Sequence, residues 1–505
     1  MNRLRPNGGH VCALLAAAMA ASPALLADDF GADVERRLHD AARTLFGIER
    51  PLAASAPASL RPYRAPEQTA ADQVAVAPGL KVEYLTRAIG DVADMLAFWP
   101  NDTAPTHLIV SIEAMPPRVL GLWPNGLAKL TPSVQRIDLA SGKIDTVLRG
   151  MAAADGIRRT PWGTVLVAEE TPDGGAYEII DPLTTTDHTV VDRTGGLVLD
   201  ATGWPSDRVA KRPMLPAMAW EGLTLLDNGV LYAGDEALPG EAGADADGGS
   251  LYKFVPTRPY TGDAVTHLDQ SPLVQGDVYA LQVSCLARRQ QTGQGCEVGN
   301  AAWIAVAAGT ARAQAYARGA TGYFRPEDLE RDPRYRDAAH PDAVRVCWTN
   351  TGSAAAQHYG EVLCAVDRAP WQADADARSV TVQRFIEGDA KFNAFDNLAF
   401  QPGTGNLYVL EDAPNGDVYA CLPDGTDRDD KSDGCVRVMS VRDSSAEPTG
   451  LIFSADGATA YLVIQHSDDG LMPEIDGYGT DDIVKITGFD SIAPRAGRRA
   501  TAPTR

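Results

Sequence analysis

The sequence predicts an all-β fold, a β-propeller with six blades and with inserted helical and loop segments. From Leu80 onward, short runs of β-branched and aromatic residues are separated by Gly, Asp, Asn and Pro at close spacing, which is typical of sheets joined by tight turns. Three runs, starting at Glu221, Asp396 and Glu447, repeat one scheme: an acidic residue, an apolar strand, a polar turn and a second strand. Hairpins that recur in this way are what a propeller produces.

The composition describes a strongly acidic globular chain. Of 505 residues, 45% are hydrophobic, and 67 acidic residues stand against 45 basic ones, for a formal charge of −22. This size allows one large core. The charge disfavours nucleic acid and anionic membranes, because phosphate binding needs clustered Lys and Arg. The sequence contains no nucleophile elbow, zincin helix or phosphate-binding loop. We expect a monomer that acts on a small molecule.

The first 27 residues have the pattern of an export signal. A basic start is followed by the apolar run from Cys12 to Leu26, and Ala27 suits a cleavage site, with Ala21 and Ala24 as other points. The run is too short for a spanning helix, and no later segment reaches the roughly 20 apolar residues that a membrane helix needs. We therefore expect an exported protein, periplasmic or secreted, without membrane insertion.

The rest of the chain divides into three parts. Residues 28–78 contain the amphipathic stretch VERRLHDAARTLFGI and predict a helix and a linker. Residues 79–490 form the predicted propeller, in which the Ala- and Arg-rich segment 307–337 has helical propensity and is interpreted as an insertion between blades. Residues 491–505 are expected to be a disordered tail.

Cysteine usage agrees with export. Once Cys12 leaves with the signal, six cysteines remain, and we predict nearest-neighbour pairing: Cys285 with Cys296, Cys347 with Cys364, and Cys421 with Cys435. An even number in an exported chain favours disulfides, and the absence of C-x-x-C spacing disfavours a zinc or redox site. Sequence alone leaves about fifteen connectivities open.

Carboxylates recur at comparable places in the predicted hairpins. Glu221, Asp396 and Glu447 precede the first strand of a repeat, and Glu327 precedes another apparent repeat; Glu113, Glu169, Glu170, Glu411 and Asp412 end strands. Because the innermost strands of a propeller surround one axis, such acids can converge, and converging carboxylates repel one another unless a hard cation neutralises them. Calcium accepts roughly six to eight oxygen ligands, and ferric iron also suits oxygen donors. A single acid before a strand more often caps a turn.

Several of these segments match a known family. They are Thr160-Pro-Trp-Gly-Thr with its following Glu-Glu pair, Arg325-Pro-Glu-Asp, Phe395-Asp-Asn-Leu, Leu410-Glu-Asp and Glu447-Pro-Thr-Gly. On these motifs the chain resembles the PhoX-type alkaline phosphatases over residues 80–485. The resemblance implies an exported β-propeller that hydrolyses phosphomonoesters at a calcium–iron cluster.

The resemblance also implies metal ligands. They are Glu169 or Glu170, Glu221, Glu327, Asp396 and Glu447, with Asn397 and Glu411 nearby, and Glu113 joins them as a strand-end acid. The sequence departs from the family at two places. Ala168 stands where the family has an iron-bridging cysteine, and Ser111-Ile112 precedes Glu113 where the family tends to have Asn-His. Losing a soft thiolate ligand predicts that iron is absent or altered. Calcium is the expected cofactor.

The function that follows is metal-assisted hydrolysis of a phosphoester, with metals polarising the phosphoryl oxygens. Arg325 is the candidate for offsetting phosphate charge, and His466 is the candidate proton donor to the leaving group. Pairing of Arg325 with Glu327 or Asp328, and a purely structural role for His466, are the alternatives for those residues. Two other functions stay open: a calcium-binding propeller that has lost catalysis, and another calcium propeller hydrolase such as a lactonase or phytase-like enzyme.

Overall fold

The structure, a computed structural model, describes residues 30–60, 64–240, 247–283, 297–373, 379–423, 434–468 and 470–489. Helices are few and short: α1 (Phe30–Asp40), α2 (Ala42–Phe46), α3 (Ala70–Gln73) and α4 (Ala311–Arg318), with single 3-10 turns at Leu268–Gln270, Pro272–Val274, Ala308–Thr310 and Ala354–Ala356. Strands account for most of the regular secondary structure in the described chain, which confirms the predicted all-β class.

The strands follow one another at the close spacing that the sequence predicts. In chain order they are β1 (Val74–Val76), β2 (Lys81–Gly90), β3 (Ala93–Trp99), β4 (His107–Ile112), β5 (Val119–Leu122), β6 (Ala128–Leu130), β7 (Pro132–Asp138), β8 (Ile144–Arg149), β9 (Ala154–Arg159), β10 (Thr164–Glu169), β11 (Ala176–Ile180), β12 (His188–Asp192), β13 (Leu197–Leu199), β14 (Val209–Lys211), β15 (Trp220–Leu225), β16 (Leu231–Asp235), β17 (Leu251–Pro256), β18 (Gly276–Val283), β19 (Gly299–Val306), β20 (Pro326–Arg331), β21 (Val344–Asn350), β22 (Glu361–Asp367), β23 (Val380–Glu387), β24 (Phe395–Phe400), β25 (Leu407–Glu411), β26 (Asp417–Cys421), β27 (Val436–Val441), β28 (Glu447–Phe453), β29 (Thr459–Gln465) and β30 (Thr480–Thr487).

These strands form six blades. The first has the order β3-β4-β7-β8, extended by β12 and β13, and the second has the order β9-β10-β11-β14. The third (β15 to β19) and the fourth (β20 to β23) share one continuous sheet, because β19 pairs with β23. The fifth runs from β24 to β27 and gains β1, and the sixth runs from β28 to β30 and gains β2. The small hairpin β5–β6 is inserted in the first blade.

The innermost strands close into a ring. In order they are β3, β9, β15, β20, β24 and β28; each contacts the next, and β28 contacts β3. The first blade and the sixth therefore meet across the closure, where β2 from early in the chain completes the sheet of β28 to β30. This arrangement confirms the predicted propeller with six blades.

Neighbouring inner strands pack with their backbones in close approach. A Cβ atom at Gly156 of β9 would collide with the carbonyl oxygen of Glu221 on β15, and one at Gly222 of β15 would collide with the backbone of β20 at Leu329. Glycine is therefore required at these two positions. The glycines bring the ring strands close enough for side chains at their starts to meet at the axis.

Large apolar side chains fill the space between blades. Trp162 and Trp220 are fully buried between the second and third blades, and Trp303 and Trp348 are fully buried between the third and fourth. Burial of each such side chain contributes roughly 2–3 kcal/mol. The blades are thus held by core packing, which leaves the axis free for polar groups.

The predicted insertion at 307–337 differs from the structure in its second half. The helix α4 forms as its propensity predicts, but residues 326–331 are β20, the innermost strand of the fourth blade. The sequence of β20, PEDLER, lacks an apolar run because the start of the strand faces the polar axis. Its charged residues therefore do not show the apolar pattern by which a strand is recognised.

Two predicted disulfides are present. Cys347 pairs with Cys364 between the adjacent strands β21 and β22, and Cys421 pairs with Cys435 between β26 and the start of β27. The predicted pair of Cys285 and Cys296, the predicted signal and the predicted tail lie outside the described residues. Among the described helices, none has the length and apolar character needed to cross a membrane.

Candidate metal centre at the propeller axis

A β-bulge at the start of each inner strand sets the geometry of the axis. In all six blades the register between the first and second strands shifts by one residue near the start of the inner strand. Such bulges re-aim a side chain locally. Five of them carry an acid as the second residue of the strand: Asp94, Asp155, Glu221, Glu327 and Asp396. We call these five residues the bulge layer. In the sixth blade the bulge contains Gly450 instead.

A second set of residues follows the end of the second strand in each blade. It consists of Glu113, Glu170, Glu236, Thr351, Asp412 and, in the sixth blade, His466. We call it the mouth layer. In the first five blades its backbone N–H donates to the carbonyl oxygen two residues before the bulge acid, over 2.6–3.1 Å. That hydrogen bond ties the mouth layer to the bulge layer, so four mouth acids lie near five bulge acids.

Oxygen atoms of these acids come close enough to share a cation. Three overlapping triads each have one oxygen per residue within 4.8 Å of the others: Asp94, Glu113 and Asp155; Asp155, Glu170 and Glu221; Glu221, Glu236 and Glu327. Consecutive triads share a residue, so the acids form a continuous arc from the first blade to the fourth. Oxygen donors in this density are the ligands that hard cations prefer.

The electrostatics show that these carboxylates are under-neutralised. Burial, followed by repulsion from neighbouring acids, raises the pKa of Glu221, Asp155 and Asp396 well above their ordinary values. Burial also raises the pKa of Asp94 to about 6 and that of Glu113 to about 7. One oxygen of Asp155, Oδ1, is buried without a hydrogen-bond partner. A hard, oxygen-liganded cation would supply both the missing partner and the missing charge, so the residues present fit calcium.

Arg325 lies inside this cluster. Its guanidinium is 2.5 Å from Glu236, 3.0 Å from Asp412 and 3.3 Å from Glu327. The surrounding charges, that of Glu327 first, raise the pKa of Arg325. Asp328, the other predicted partner, is instead paired with Arg158. Arg325 therefore offsets part of the acidic charge and remains cationic throughout.

The sixth blade differs from the other five. The sequence groups Glu447 with Glu221 and Asp396, but Glu447 is the first residue of its strand and pairs with Gln465, outside the bulge. Burial and then the charge and hydrogen bond of Asp412 raise the pKa of Glu447 to about 10. His466 follows Gln465, and its Nε2 lies 3.4 Å from Glu447. The half-exposed imidazole has its pKa lowered, chiefly by burial.

Three of the predicted ligands have other partners. Glu169 is fully buried, forms a 2.6 Å ion pair with Arg193 and accepts the backbone N–H of Ala152. Glu411 accepts two backbone N–H groups in the same way in the fifth blade. Asn397 uses its Oδ1 to accept the backbone N–H of Gly450 in the sixth blade. These side chains brace the loops and strands beneath the centre. Of the predicted Glu169/Glu170 pair, Glu170 is the one in the acidic arc.

Ala168, where the family has a cysteine, is fully buried in the apolar cluster between the second and third blades. Its neighbours there include Leu166, Ala176 and Trp220. No thiolate is available from this position, so the donors gathered in the three triads are carboxylate oxygens alone.

Sequence reasoning missed Asp94, Asp155 and Glu236 as site residues, and chose Glu411 where the structure brings Asp412 to the centre. A signal for Asp155 exists: Asp155-Gly156 repeats the acid–glycine pair Glu221-Gly222. It is hidden because β9, with the sequence ADGIRR, lacks an apolar run. The mouth acids could have been found from a rule that the first residue after the second strand is the one that turns inward.

The opposite end of the ring has a different chemistry. A cavity of about 280 Å³ lies where the inner strands finish, lined by Phe98, Phe400 and Phe453 together with charged groups. Arg158 there is 2.9 Å from Asp328 and 3.5 Å from Glu330. The acids of this far end are thus paired within the protein.

A closed ring of six blades around a carboxylate-lined centre defines the class: a β-propeller with one acidic axial site. The family model described as alkaline phosphatase PhoX matches residues 226–468, a span that contains Glu327, Asp396, Glu447 and His466. Over these residues, just under half of the chain, the protein is similar to the PhoX family. This similarity supports a phosphatase-type hydrolase that depends on metal.

One solved structure matches the fold with a TM-score above 0.5. The PhoX of Pseudomonas fluorescens, determined in complex with vanadate, is 17% identical with a TM-score of 0.53, and the match covers 87% of this chain and 98% of that one. An aldose sugar dehydrogenase from Streptomyces coelicolor in its PQQ-bound form is 12% identical, with a TM-score of 0.38 and coverages of 82% and 99%. A gluconolactonase from Xanthomonas campestris is 13% identical, with a TM-score of 0.36 and coverages of 87% and 98%. No curated protein sequence matches the chain.

Proposed function

We propose that this chain is a calcium-dependent phosphomonoesterase. The observation that carries the proposal is the arc of buried carboxylates in overlapping triads, whose ionised forms repel one another unless a cation neutralises them. The residues that would hold it are Asp94, Asp155, Glu221, Glu327 and Asp396 of the bulge layer, with Glu113, Glu170 and Glu236 of the mouth layer and Glu447 at the start of β28. Bound calcium would polarise the phosphoryl oxygens of the substrate.

The chain's own residues supply charge and hydrogen bonds around the phosphate. Arg325 is always charged, and a guanidinium pairs with two phosphate oxygens at once. When a cation neutralises Glu236, Glu327 and Asp412, the guanidinium of Arg325 is released from them to bind a phosphoryl oxygen. This assignment makes Arg325 a substrate-binding residue.

His466 is assigned to the oxygen of the leaving group. It belongs to the mouth layer and is half exposed, so a substrate can reach it. Burial lowers its pKa, which favours the neutral imidazole. Its role is to interact with the departing oxygen as a hydrogen-bond or proton donor.

The proposal is tested by turnover of p-nitrophenyl phosphate. Protein stripped with a chelator is assayed alone, with calcium, with iron, and with both. We expect activity with calcium, no gain from iron, and loss on renewed chelation. Elemental analysis should find calcium without iron, because Ala168 offers no thiolate. Absence of turnover under all of these conditions would contradict the phosphatase assignment.

A second candidate is a calcium-binding propeller that has lost catalysis and acts as a binding module. Ala168 favours it, because the family's iron-bridging ligand is missing. Both candidates bind calcium, so the decisive measurement is turnover of phosphomonoesters, with lactones and phytate assayed beside them. Turnover of a lactone or of phytate alone would assign the chain to another class of calcium propeller hydrolase.

We also infer that the protein is exported. The two disulfides of the described chain form and persist in oxidising compartments. Fractionation of cells that express the full chain should recover it in the periplasm or the medium, with both disulfides formed.

A further inference from the structure

A cavity of about 420 Å³ opens beside the acidic centre, between the first and sixth blades. We call it the side pocket. Its volume lies in the range of small-molecule sites, roughly 300–1,000 Å³. The walls include Val92, Ala114, Pro116 and Pro132, which offer an apolar surface to a compact carbon skeleton.

The side pocket reaches the centre through the mouth layer. Glu113 and His466 line it, and both belong to that layer. The same sixth blade carries Gly450 where the other blades carry a bulge acid. The acidic arc therefore has its gap on the side of this pocket, and a phosphoester at the centre has room there for its organic part.

Arg118 gives the side pocket a positive charge. Its backbone is fixed to Thr131 by two hydrogen bonds, of 3.2 Å and 2.9 Å. Within the described chain, its exposed guanidinium has no ion pair or hydrogen-bond partner. An arginine that lines a cavity without an internal partner is free to bind an anion from solution.

The other polar groups of the side pocket have partners or belong to the centre. The hydroxyl of buried Tyr478 accepts a 3.0 Å hydrogen bond from Gln135, which leaves its own proton available to an acceptor. Asp91 interacts with other groups of the protein. Glu113 is one of the acids that the proposed cation would neutralise. Arg118 is thus the permanent positive charge among the residues that line the pocket.

We propose that the side pocket binds the leaving group of the phosphomonoester, and that Arg118 selects leaving groups that carry an oxyanion. The inference rests on the proposed function, in which the phosphoryl group lies at the axial centre. The substrate class is a phosphomonoester of a compact, partly apolar alcohol that bears a carboxylate or a second phosphorus oxyanion. A guanidinium binds either group through two parallel hydrogen bonds.

The test compares three substrates that differ only in the distal group: phenyl phosphate, 4-carboxyphenyl phosphate and 4-phosphonophenyl phosphate. The calcium-loaded full chain should turn over the anionic substrates with kcat/KM about 10-fold higher than phenyl phosphate, through a lower KM. Arg118→Met should abolish that preference and leave phenyl phosphate within about twofold of wild type. The carboxylate and phosphonate arms distinguish the two sources of negative charge.

Arg118→Lys and Arg258→Met are the matched variants. The lysine keeps a charge but not the planar fork, so it should retain part of the preference. Arg258 is an exposed arginine away from the pocket, and its replacement should change nothing. Equal kcat/KM for all three substrates in wild type, or a preference that survives Arg118→Met, would overturn the proposal.

Calorimetric binding separates this inference from the proposed function. Calcium-loaded protein is titrated with the three compounds in wild type and in Arg118→Met. If no compound is hydrolysed but Arg118→Met weakens binding of the anionic compounds alone, the proposed anion-binding role of the side pocket is supported and the phosphatase assignment is wrong. If turnover occurs without a difference in binding or in KM, the assignment stands and the pocket inference fails.

Discussion

The two ends of the propeller ring are built from the same six strands but differ in their balance of charge. At the mouth, acids from the strand starts converge and exceed the positive charge of Arg325. At the far end, three arginines and three acids line the cavity, and Arg158 lies 2.9 Å from Asp328 and 3.5 Å from Glu330. Glu327 and Glu330 belong to one strand, three residues apart, yet they face these two environments. The difference shows that buried acids alone do not indicate a metal site. Buried acids indicate one when their negative charge exceeds the positive charge around them.

The largest expected effect comes from matched substitutions on β20. Glu327→Gln removes a ligand from the axial arc and should lower kcat/KM for p-nitrophenyl phosphate by about 100-fold, with weaker calcium binding. Glu330→Gln makes the same chemical change at the far end and should leave activity within about twofold. Similar losses in both variants would show that the two ends do not differ in function.

Removal of metal should affect stability in a pH-dependent way. The folded-state pKa of Glu113 is raised to about 7 and that of Glu447 to about 10, so the folded metal-free protein binds more protons than the unfolded chain. The contribution of these two groups to stability is therefore complete below about pH 4.5 and is lost as the pH rises toward 7 and 10. Thermal melts of chelated protein at pH 5, 7 and 9 check this order.

Calcium should reverse that fall, because it binds the ionised carboxylates. At a free concentration of about 1,000 times its Kd, one site adds about 4 kcal/mol, which corresponds to about 4 °C in Tm for a chain of this size. The gain should be larger at pH 9 than at pH 5. A melting temperature that did not depend on calcium at any pH would contradict the proposal that a metal binds at the acidic centre.

Loss of Arg158 should destabilise the protein without affecting catalysis. Arg158→Met leaves Asp328 buried without its cation, and such a change costs about 3 kcal/mol, or about 3 °C in Tm. Two backbone N–H groups still donate to Asp328, which limits the loss. Calcium content and kcat should stay at wild-type values. A loss of bound calcium in this variant would mean that the two ends are coupled.

The smallest effect should come from Glu330 as a function of pH. Burial raises its folded-state pKa to about 7, so its ionisation opposes folding as the pH rises from about 4.5 toward 7. Glu330→Gln removes that penalty and should be as stable as wild type at pH 5 and about 1 kcal/mol more stable at pH 9. Urea unfolding at the two pH values measures the difference.

The sequence predicts the propeller well because its hairpins contain apolar strands and turn residues that can be recognised from local sequence. The disulfide between Cys421 and Cys435 can be recognised in the same way, since the two residues flank one polar loop. The inner strands are the exception: β9 and β20 begin with acids and contain arginines, because they face the axis rather than a core. Their charged sequences resemble loops, and so Asp155 was not recognised as a site residue.

The choice between adjacent acids could not be made from sequence. Glu169 and Glu170 are neighbours with the same chemistry, but one accepts backbone N–H groups and an arginine while the other joins the axial arc. Glu411 and Asp412 differ in the same way. Which acid of each pair faces the axis is determined by the turn after the second strand and by the backbone hydrogen bond from that turn to the loop before the inner strand. Both are properties of the folded backbone.

The closure between the first and sixth blades makes the whole chain a condition of activity. Thr449 donates a 2.6 Å hydrogen bond to Asp94, although the two residues are 355 positions apart. A chain that is cut short before β28 retains most of its acids but has no wall to complete their enclosure. We therefore expect hydrolysis from molecules that contain all six blades, and no activity from truncated chains, whichever metal is added.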